Sequence, residues 1–456
     1  MLPDDVLLAI FDFCAGDENE RTKREIEAWQ TLVHVCQRWR SLVFGSPRHL
    51  NLRLVCTSRT PARDEQDIWP DLPLVIQCYD YPIDNVDNIV AELERRNRVR
   101  QIRLGVSSLD LEKVLGAMQQ PFPELTQLWL WSDDETRVLP DSFLGGSALS
   151  LRHLYFRGVP FPGLPNLLMS ATHLVDLDLR KIPHSGYISP EAMVSALSAL
   201  TSLRILRLGF QSPRSCPGWA SRHPPPPTRF VLPVLTYFRF KGVSEYWDNL
   251  VARIDAPRLS SLDITFFNQI VFDTPQFIQF ISRTATLKAL EKAIVTFMDG
   301  AAIVSITPLA SPHRGPELSV RIPSRELDWQ VSSLEQVCTS SLPPLSVLED
   351  LYITEEPYWQ LDWQDNIENA MWLELLHPFT AVKNLYLSEE IARRIAPALQ
   401  ELVGGRTTEV LPTLRNIFLE GLQPSGPVQE GIGQFAATRQ AISHPIAVSR
   451  WDRGSP

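Results

Sequence analysis

Aromatic and arginine side chains recur at one fixed position of a repeated sequence pattern, and these residue types favour binding over catalysis. Each lies between two leucine-type residues in an alternating segment, so in a strand all would share the face opposite the leucines. Tyr, Trp and Arg are enriched at the centres of protein–protein interfaces. The residues at this position are Arg103, Trp129, Tyr155, Asp178, Arg207, Arg239, Asp263, Tyr352, Tyr386 and Phe418, and their neighbours include Trp131, Arg157, Arg180 and Lys241. We predict that they bind a target protein; alternatively, each merely covers a neighbouring strand.

No catalytic arrangement stands out in the sequence. The phosphate-binding loop G-x-x-x-x-G-K-[ST], the nucleophile elbow G-x-S-x-G and the zinc motif H-E-x-x-H are all missing. His34 and Cys36 are close enough in sequence to suggest a catalytic pair, but two residues apart on a helix their side chains would diverge. No two cysteines have the spacing of a zinc site. We therefore expect no enzymatic activity, no cofactor and no metal.

The pattern that carries these residues is L-x-x-L-x-L. Its copies begin at Val99, Leu125, Leu151, Leu174, Leu203, Leu235, Leu259, Leu348, Val382 and Leu414. Neighbouring copies mostly begin between 23 residues (Leu151 to Leu174) and 34 residues (Leu348 to Val382) apart, at or slightly above the period of leucine-rich repeats. One such unit cannot bury its own apolar side. We therefore expect parallel strands stacked into a curved α/β solenoid, with the arginine and aromatic positions on its concave face.

Helical patterns alternate with the predicted strands. Apolar spacing predicts a helix from Val86 to Leu93. Ser189-Pro190, Thr274-Pro275 and Ser388 predict the capped starts of three further helices. This strand–helix order is typical of ribonuclease-inhibitor-like repeats, here with irregular turns.

Two regions depart from the regular repeat. Residues 299–325 show it poorly, and we assign no strands there, so the number of repeats in this stretch stays open. Near the C-terminal end of the sequence, apolar residues around Ile432 predict a helix, and residues 446–451 alternate as a strand would. These last elements would form a terminal cap, which a repeat stack needs to shield its final core face.

The first 48 residues differ from the repeats. L-P-D-D-V-L-L-A-I-F (residues 2–11) predicts one helix, and L-V-H-V-C-Q-R-W-R-S-L-V (residues 32–43) lies within a second, running from about Trp29 to Phe44. These segments resemble the F-box, a family that carries L-P-x-E-x-L-x-x-I-F and V-C-x-x-W-x-x-L. The resemblance covers about a tenth of the chain and places Cys36 at a buried position. The matching residues are Leu2, Pro3, Leu7, Ile10, Phe11, Val35, Cys36 and Trp39.

The resemblance implies a function for the chain as a whole. The matching residues would dock on the Skp adaptor of a cullin–RING ubiquitin ligase, and the repeats would hold the target protein. The alternative is a leucine-rich-repeat interaction scaffold without a ubiquitin-ligase role, whose N-terminal helices only cap the stack. The predicted divisions are an all-α F-box at 1–48, a transition at 49–98, leucine-rich repeats at 99–422, and a terminal cap helix, strand and tail at 423–456.

Charge and composition argue against several other classes of protein. A net charge of −10 is unsuited to general nucleic-acid binding, which depends on a basic surface. No apolar run approaches the roughly 20 residues that span a bilayer, and Asp4, Asp5 and Asp12 interrupt the apolar residues at the N-terminus, unlike a secretory signal. Six scattered cysteines without a C-x-x-C pair suit a reducing compartment. We expect a cytoplasmic or nuclear protein with neither nucleic acid nor membrane as partner.

Overall fold

The computed structural model describes residues 2–15, 29–46, 50, 52–59, 72–79, 83–133, 137–215, 229–269, 271–288, 291–308, 317–342, 345–356, 367–402, 406, 408–421 and 426–452. The chain divides into two compact units, Met1–Leu203 and Arg204–Pro456. Among the described residues, no helix is long and apolar enough to cross a membrane.

The first unit begins with three short helices, α1 (Asp4–Ala15), α2 (Trp29–Val33) and α3 (Gln37–Gly45). The predicted single helix from Trp29 to Phe44 is wrong, because the chain turns between α2 and α3. Cys36 sits in extended backbone at the start of α3, and it is exposed rather than buried. His, Val and Cys are all weak helix formers, so the break falls where helix propensity is lowest.

A parallel sheet follows in the first unit. Its strands are β1 (Leu54–Cys56), β2 (Leu74–Cys78), β3 (Val99–Gly105), β4 (Gln127–Trp131), β5 (His153–Arg157) and β6 (Asp176–Ile182), each pairing in parallel with the next. The predicted strands of the repeats starting at Val99, Leu125, Leu151 and Leu174 are confirmed. The connecting helices are α4 (Val86–Leu93), α5 (Ser108–Ala117), α6 (Leu164–Ser170) and α7 (Pro190–Leu197), and a 3-10 turn (Phe143–Gly146) joins β4 to β5.

Leucines explain why this sheet forms. Leu128, Leu130 and Leu154 are almost fully buried, whereas the residues that alternate with them along each strand point to the other face. Burying a leucine side chain contributes about 1.5–3 kcal/mol, so every repeat adds to one shared core. The helix predicted at residues 86–93 is confirmed, as is the cap at Ser189, whose hydroxyl accepts the Ala192 N–H at 3.2 Å.

The second unit contains a longer sheet. Its strands are β7 (Ile205–Phe210), β9 (Tyr237–Gly242), β11 (Ser261–Phe266), β12 (Lys292–Met298), β13 (Ala301–Thr307), β14 (Glu317–Ile322), β15 (Asp350–Glu355), β16 (Asn384–Leu387), β17 (Asn416–Glu420) and β18 (Ala447–Trp451), while β8 (Phe230–Val231) and β10 (Ile254–Asp255) pair separately. The spatial order is β7-β9-β11-β14-β13-β12-β15-β16-β17-β18. All strands predicted from the repeats starting at Leu203, Leu235, Leu259, Leu348, Val382 and Leu414 are present and pair in parallel with a neighbour.

Strands β12, β13 and β14 correct the prediction of parallel strands and occupy a stretch to which the sequence assigned none. Residues 299–325 do contain strands, and the stack is not parallel throughout, since β13 runs antiparallel to both β12 and β14. The turn between β12 and β13 is Asp299-Gly300, with Gly300 at φ +83°. Asp-Gly is a preferred two-residue hairpin turn because its glycine tolerates positive φ, so the sequence did contain a signal for this hairpin.

The helices of the second unit are α8 (Ser244–Val251), α9 (Pro275–Arg283), α10 (Ala285–Lys288), α11 (Leu327–Ser340), α12 (Asn369–Leu376), α13 (Glu389–Glu401) and α14 (Pro427–Ala441). The helix after Thr274 is present, but the Thr274 side chain does not cap it. Instead, Asp248 of α8 accepts the N–H groups of Gln276 (2.8 Å) and Phe277 (3.1 Å). A carboxylate from the preceding helix therefore caps this one, which no local pattern could predict.

The start of α13 and the terminal cap complete the second unit. Ser388 precedes α13 as predicted, but its hydroxyl donates to Glu355 and makes no cap bond. The predicted last helix and strand are confirmed as α14 and β18, with β18 pairing in parallel with β17. Arg439 of α14 is fully buried and donates to the carbonyl of Pro412 at 3.0 Å. This buried contact fixes the last helix to the loop before β17.

Candidate functional site

In each unit taken by itself, the strand residues that point away from the buried leucines form one face of that unit's strands, called here the open face of the unit. In the first unit, strand register aligns Gln77, Arg103, Trp129, Tyr155 and Asp178 in a single row across β2 to β6. Four of these five are predicted target-binding residues. They lie side by side because each comes from the same position of its repeat.

The side chains of this row contact one another. The Arg103 guanidinium lies 4.8 Å from the centroid of the Trp129 ring, and Trp129 packs against Tyr155 at 5.2 Å. Arg180 covers the other side of Tyr155 at 5.5 Å and is held there by a two-bonded ion pair with Asp178 (2.8 and 2.7 Å). Cations therefore lie at both ends of an aromatic pair, an arrangement in which guanidinium and ring attract each other.

Trp131, Arg157 and Lys181 extend this cluster toward the carboxyl ends of the strands. Trp131 lies directly over Gly105, where an added Cβ would come within 2.6 Å of the indole, and it stacks on Tyr79 at 5.7 Å. Arg157 and Lys181 both donate to Asp133, at 3.3 and 3.0 Å. The hydrogen bond from Lys181, and the positive charges of both residues, lower the pKa of Asp133 below its ordinary value.

Burial divides the predicted target-binding residues. Arg103 and Asp178 are only 6% and 4% exposed, so they support their neighbours more than they present themselves to solvent. Arg239 is exposed. The half-buried ones are Trp129, Tyr155, Arg207, Asp263, Tyr352, Tyr386 and Phe418.

In the second unit, a charged cluster occupies the open face of β7, β9 and β11. Register aligns Arg207, Arg239 and Asp263, and Arg239 bonds Asp263 at 2.8 Å. Both guanidiniums approach the ring of Tyr237, at 5.2 and 5.8 Å. Burial of the phenol raises the pKa of Tyr237, so it remains a neutral hydrogen-bonding group between two cations.

A stack of parallel rings occupies the open face of β15, β16 and β17; we call it the aromatic ladder, and it consists of Tyr352, Tyr386 and Phe418. Tyr352 and Tyr386 stack at 4.0 Å with an interplanar angle of 1°, and Tyr386 and Phe418 at 4.5 Å and 10°. The Lys292 ammonium lies 4.0 Å from the Tyr352 centroid. Trp451 of β18 meets the first two rings edge-on, at 5.7 and 5.6 Å.

Several residues of these clusters were missed by the sequence prediction. Trp451 and Lys292 touch the aromatic ladder, and Tyr237 and Tyr79 join the other clusters. Tyr237 could have been found, since it occupies an outward position of a predicted strand. Lys292 could not, because its strand was not predicted.

The N-terminal helices present a second surface, and the residues matching the F-box pattern divide between its interior and its exterior. Leu7 and Phe11 are buried, and Phe11 meets the half-buried Trp39 edge-on at 4.7 Å. Arg38 of α3 donates to Asp4 at 3.1 Å and to the carbonyl of Leu2 at 2.7 Å, joining α3 to the start of α1. The exposed matching residues are Leu2, Pro3, Ile10, Val35 and Cys36.

The exposed apolar side chains of the N-terminal helices and of the residues next to them are called here the N-terminal patch: Leu2, Val6, Ile10, Phe13 and Val35. Leu2 is 52% exposed, Val35 59% and Phe13 88%. Val6, Ile10 and Phe13 line one shallow depression together with Asp5 and Ala9. Clustered exposed apolar groups are typical of surfaces that bind another protein.

Neither surface provides an evident metal site. Within the part of the chain that the structure describes, no group of three or more His, Cys, Asp or Glu side chains could hold a metal ion. Cys36 lies on the N-terminal helices and Cys338 is buried in the second unit, where burial raises the pKa of its thiol.

Comparison with known proteins adds a distant likeness. No model of a known family matches the chain, and no curated protein matches it. Among solved structures, it is similar to the leucine-rich repeat-containing protein LegL7 from Legionella pneumophila, with 12% sequence identity and a TM-score of 0.27, over 85% of this chain and 98% of that one. At that score the likeness supports no functional inference, and the α/β repeat fold rests on the strands and helices described above.

Proposed function

We propose that the chain is a two-part adaptor that brings a target protein to a ubiquitin ligase. The repeats would bind the target through the open face, and the N-terminal helices would dock on the Skp adaptor of a cullin–RING ligase. The observation that carries the proposal is the presence of two separate surfaces with the chemistry of protein interfaces. One is rich in arginine and aromatic side chains, and the other is apolar.

Recognition of a target by the open face is supported by its residue types and by their preorganisation. Ion pairs and ring contacts already hold Arg180, Tyr155 and Tyr386 in place. Side chains that are fixed before binding lose less conformational entropy when a partner arrives. Such positions are where interface hot spots are expected.

Docking of the N-terminal helices is supported by the N-terminal patch and by the F-box resemblance together. The exposed side chains of the N-terminal patch, such as Phe13, contribute little to the stability of the helices by themselves, because they stay in contact with water. A partner surface that removed them from water would gain about 25 cal/mol for each Å² of apolar area buried. The Skp adaptor is the partner that the resemblance implies.

The mechanism would be proximity rather than chemistry by this chain. Holding a target beside a ubiquitin-loaded enzyme raises its effective concentration there, and the ligase partners supply the reaction. The chain would then need neither catalytic residues nor a cofactor. The site of action would be the cytoplasm or the nucleus.

Co-purification with the Skp adaptor tests the docking step. A variant with Leu2→Ser, Ile10→Ser and Val35→Ser alters exposed side chains only, so its fold should be preserved. A matched control, Leu109→Ser with Leu149→Ser, changes exposed leucines that lie outside the N-terminal helices. The wild type and the control should retain the Skp adaptor, and the triple variant should lose it.

Other outcomes would favour the alternative, an interaction scaffold without a ligase role. Equal recovery of the adaptor with all three proteins, or recovery with none, would contradict docking through the N-terminal patch. The open-face clusters would then still account for protein binding, and the N-terminal helices would only cover one end of the first unit's repeats.

A further inference from the structure

Two basic side chains on the open face of the second unit flank a threonine. Strand register places Lys241 of β9 beside Thr265 of β11, and Thr265 beside Arg321 of β14. All three alternate with buried residues along their strands, so they lie on the open face. Neighbouring strands are about 4.8 Å apart, which puts the backbones at Lys241 and Arg321 about 10 Å apart. Both side chains are long enough to reach a group that lies over Thr265.

Neither cation forms an ion pair within the part of the chain that the structure describes. The Lys241 ammonium lies 5.8 Å from the centroid of the Phe267 ring, and the Arg321 guanidinium donates to the Met298 sulfur at 3.5 Å. A thioether is a weak acceptor, so this contact does little to keep the guanidinium from a stronger partner. Both positive charges are therefore available to an anion.

Hydroxyl groups and a neutralised carboxylate lie beside the two cations. The Ser305 hydroxyl donates to that of Ser319 at 3.2 Å, which leaves the hydrogen of Ser319 able to donate to another group. Ser319 is paired in register with Asp263, whose charge would repel an anion. However, Arg239 holds this carboxylate through two contacts, at 2.8 and 2.7 Å. This part of the open face is thus rich in donors and locally positive, although the whole chain has a net charge of −10.

The first unit contains a carboxylate that is held by a similar pair of cations. There, Arg157 of β5 and Lys181 of β6 both donate to Asp133, at 3.3 and 3.0 Å. One arginine and one lysine from different strands thus share a single carboxylate. Lys241 and Arg321 form a pair of the same composition, on strands separated by β11, but without an acidic partner among the described residues. Another molecule can supply the carboxylate.

We propose that the open face of the second unit binds an acidic segment of the target, with one side-chain carboxylate over Thr265 and between Lys241 and Arg321. The carboxylate would accept hydrogen bonds from the hydroxyls of Thr265 and Ser319 and form ion pairs with both cations. A guanidinium suits this role because its planar donors match the two oxygens of a carboxylate. The inference rests on the proposed role of the repeats in binding a target, and it names the charge of the bound segment.

Synthetic peptides provide a direct test with the full-length chain. The probes are nonapeptides with blocked ends and an uncharged dye, in which three central glutamates alternate with serines. The comparison peptide has glutamine in place of each glutamate, and fluorescence anisotropy gives the Kd of both. We expect the Glu peptide to bind about three- to tenfold more tightly, which corresponds to two partly exposed ion pairs. The difference should shrink in about 1 M salt, which screens such pairs.

Substitutions distinguish this site from the effect of overall charge. Lys241→Gln with Arg321→Gln should give the two peptides equal Kd values, whereas Lys241→Arg with Arg321→Lys keeps both charges and should keep the preference. The matched control is Arg258→Gln with Arg415→Gln, which removes two exposed cations outside the open-face strands and should also keep it. Unchanged melting temperatures would confirm that all variants fold.

Three results would overturn the proposal: equal Kd values of the two peptides for the wild type, a control variant that loses the preference as fully as the Lys241 and Arg321 variant, or no binding of either peptide below about 1 mM. Skp co-purification does not involve this site and should be the same for the wild type and for Lys241→Gln with Arg321→Gln. Failure of the carboxylate site is therefore distinguishable from failure of the proposed docking step.

Discussion

Replacing Tyr386 with leucine should destabilise the end of the second unit more than the same change at Phe418. Tyr386 is the central ring of the aromatic ladder, with partners at 4.0 Å (Tyr352), 4.5 Å (Phe418) and 5.6 Å (Trp451). Each ring pair contributes about 0.5–1.5 kcal/mol beyond area burial. Losing three pairs would cost about 1.5–4.5 kcal/mol. Because the ring is only half-buried, we expect a loss toward the lower end of this range, about 2 kcal/mol.

Phe418→Leu loses one ring pair within the ladder, so its expected cost is about 0.5–1.5 kcal/mol. Hydrogen exchange measured at increasing urea, on peptides covering β15 to β18, reports this region separately from the rest of the chain. Tyr386→Phe is the matched control, because it keeps the ring and removes only the hydroxyl. If Tyr386→Leu cost no more than Phe418→Leu, the ladder would not be a coupled stack.

Three further predictions concern the second unit. Asp248→Ala should destabilise α9 by about 0.5–2 kcal/mol, whereas Asp248→Asn should cost only a few tenths of a kcal/mol, because asparagine also caps helices. Urea unfolding measures both losses, and equal losses for the two variants would contradict the cap. Arg439→Met removes the hydrogen bonds that this guanidinium donates to the carbonyls of Leu411, Pro412 and Leu414, and should cost about 2 kcal/mol, seen as faster hydrogen exchange in α14 and β18; equal exchange would show that Arg439 does not hold α14 in place. Burial raises the pKa of Tyr352 above its ordinary 10.0, so its contribution to stability is complete below pH 10 and is lost as pH rises above it. Tyr352→Phe should therefore lose less stability between pH 9 and 11 than the wild type in thermal unfolding.

Most of the correct predictions come from the regular spacing of apolar residues in the sequence. Leucines at fixed spacing place the repeat strands correctly, and strand alternation puts Trp129, Tyr155 and Tyr386 each on the side of its strand opposite the leucines. These predictions succeed because burial of one apolar face determines the register of the whole strand. The same logic fails between β12 and β14, where the repeat is replaced by a hairpin whose signal is the turn residue Gly300 rather than a leucine.

Contacts between distant segments are the part that a single sequence cannot supply. Asp248 caps a helix that begins 27 residues later, at Pro275, and Trp451 reaches the ladder from the far end of the second unit. The burial of Arg103, 94% covered, likewise depends on neighbours from other repeats. The apolar pattern failed in a different way before Cys36, where it runs on without interruption although the chain turns between two helices.

The measurement that tests the adaptor proposal most directly is a paired affinity experiment with two variants of the full chain. One alters the N-terminal patch (Leu2, Ile10 and Val35 to serine), and the other alters the open face of the first unit (Tyr155 and Arg180 to alanine). Cross-linking and mass spectrometry then record which proteins each variant retains. We expect the first variant to lose the Skp adaptor and keep its target, and the second to keep the adaptor and lose the target. Loss of the same partners by both variants, or of none by either, would contradict it.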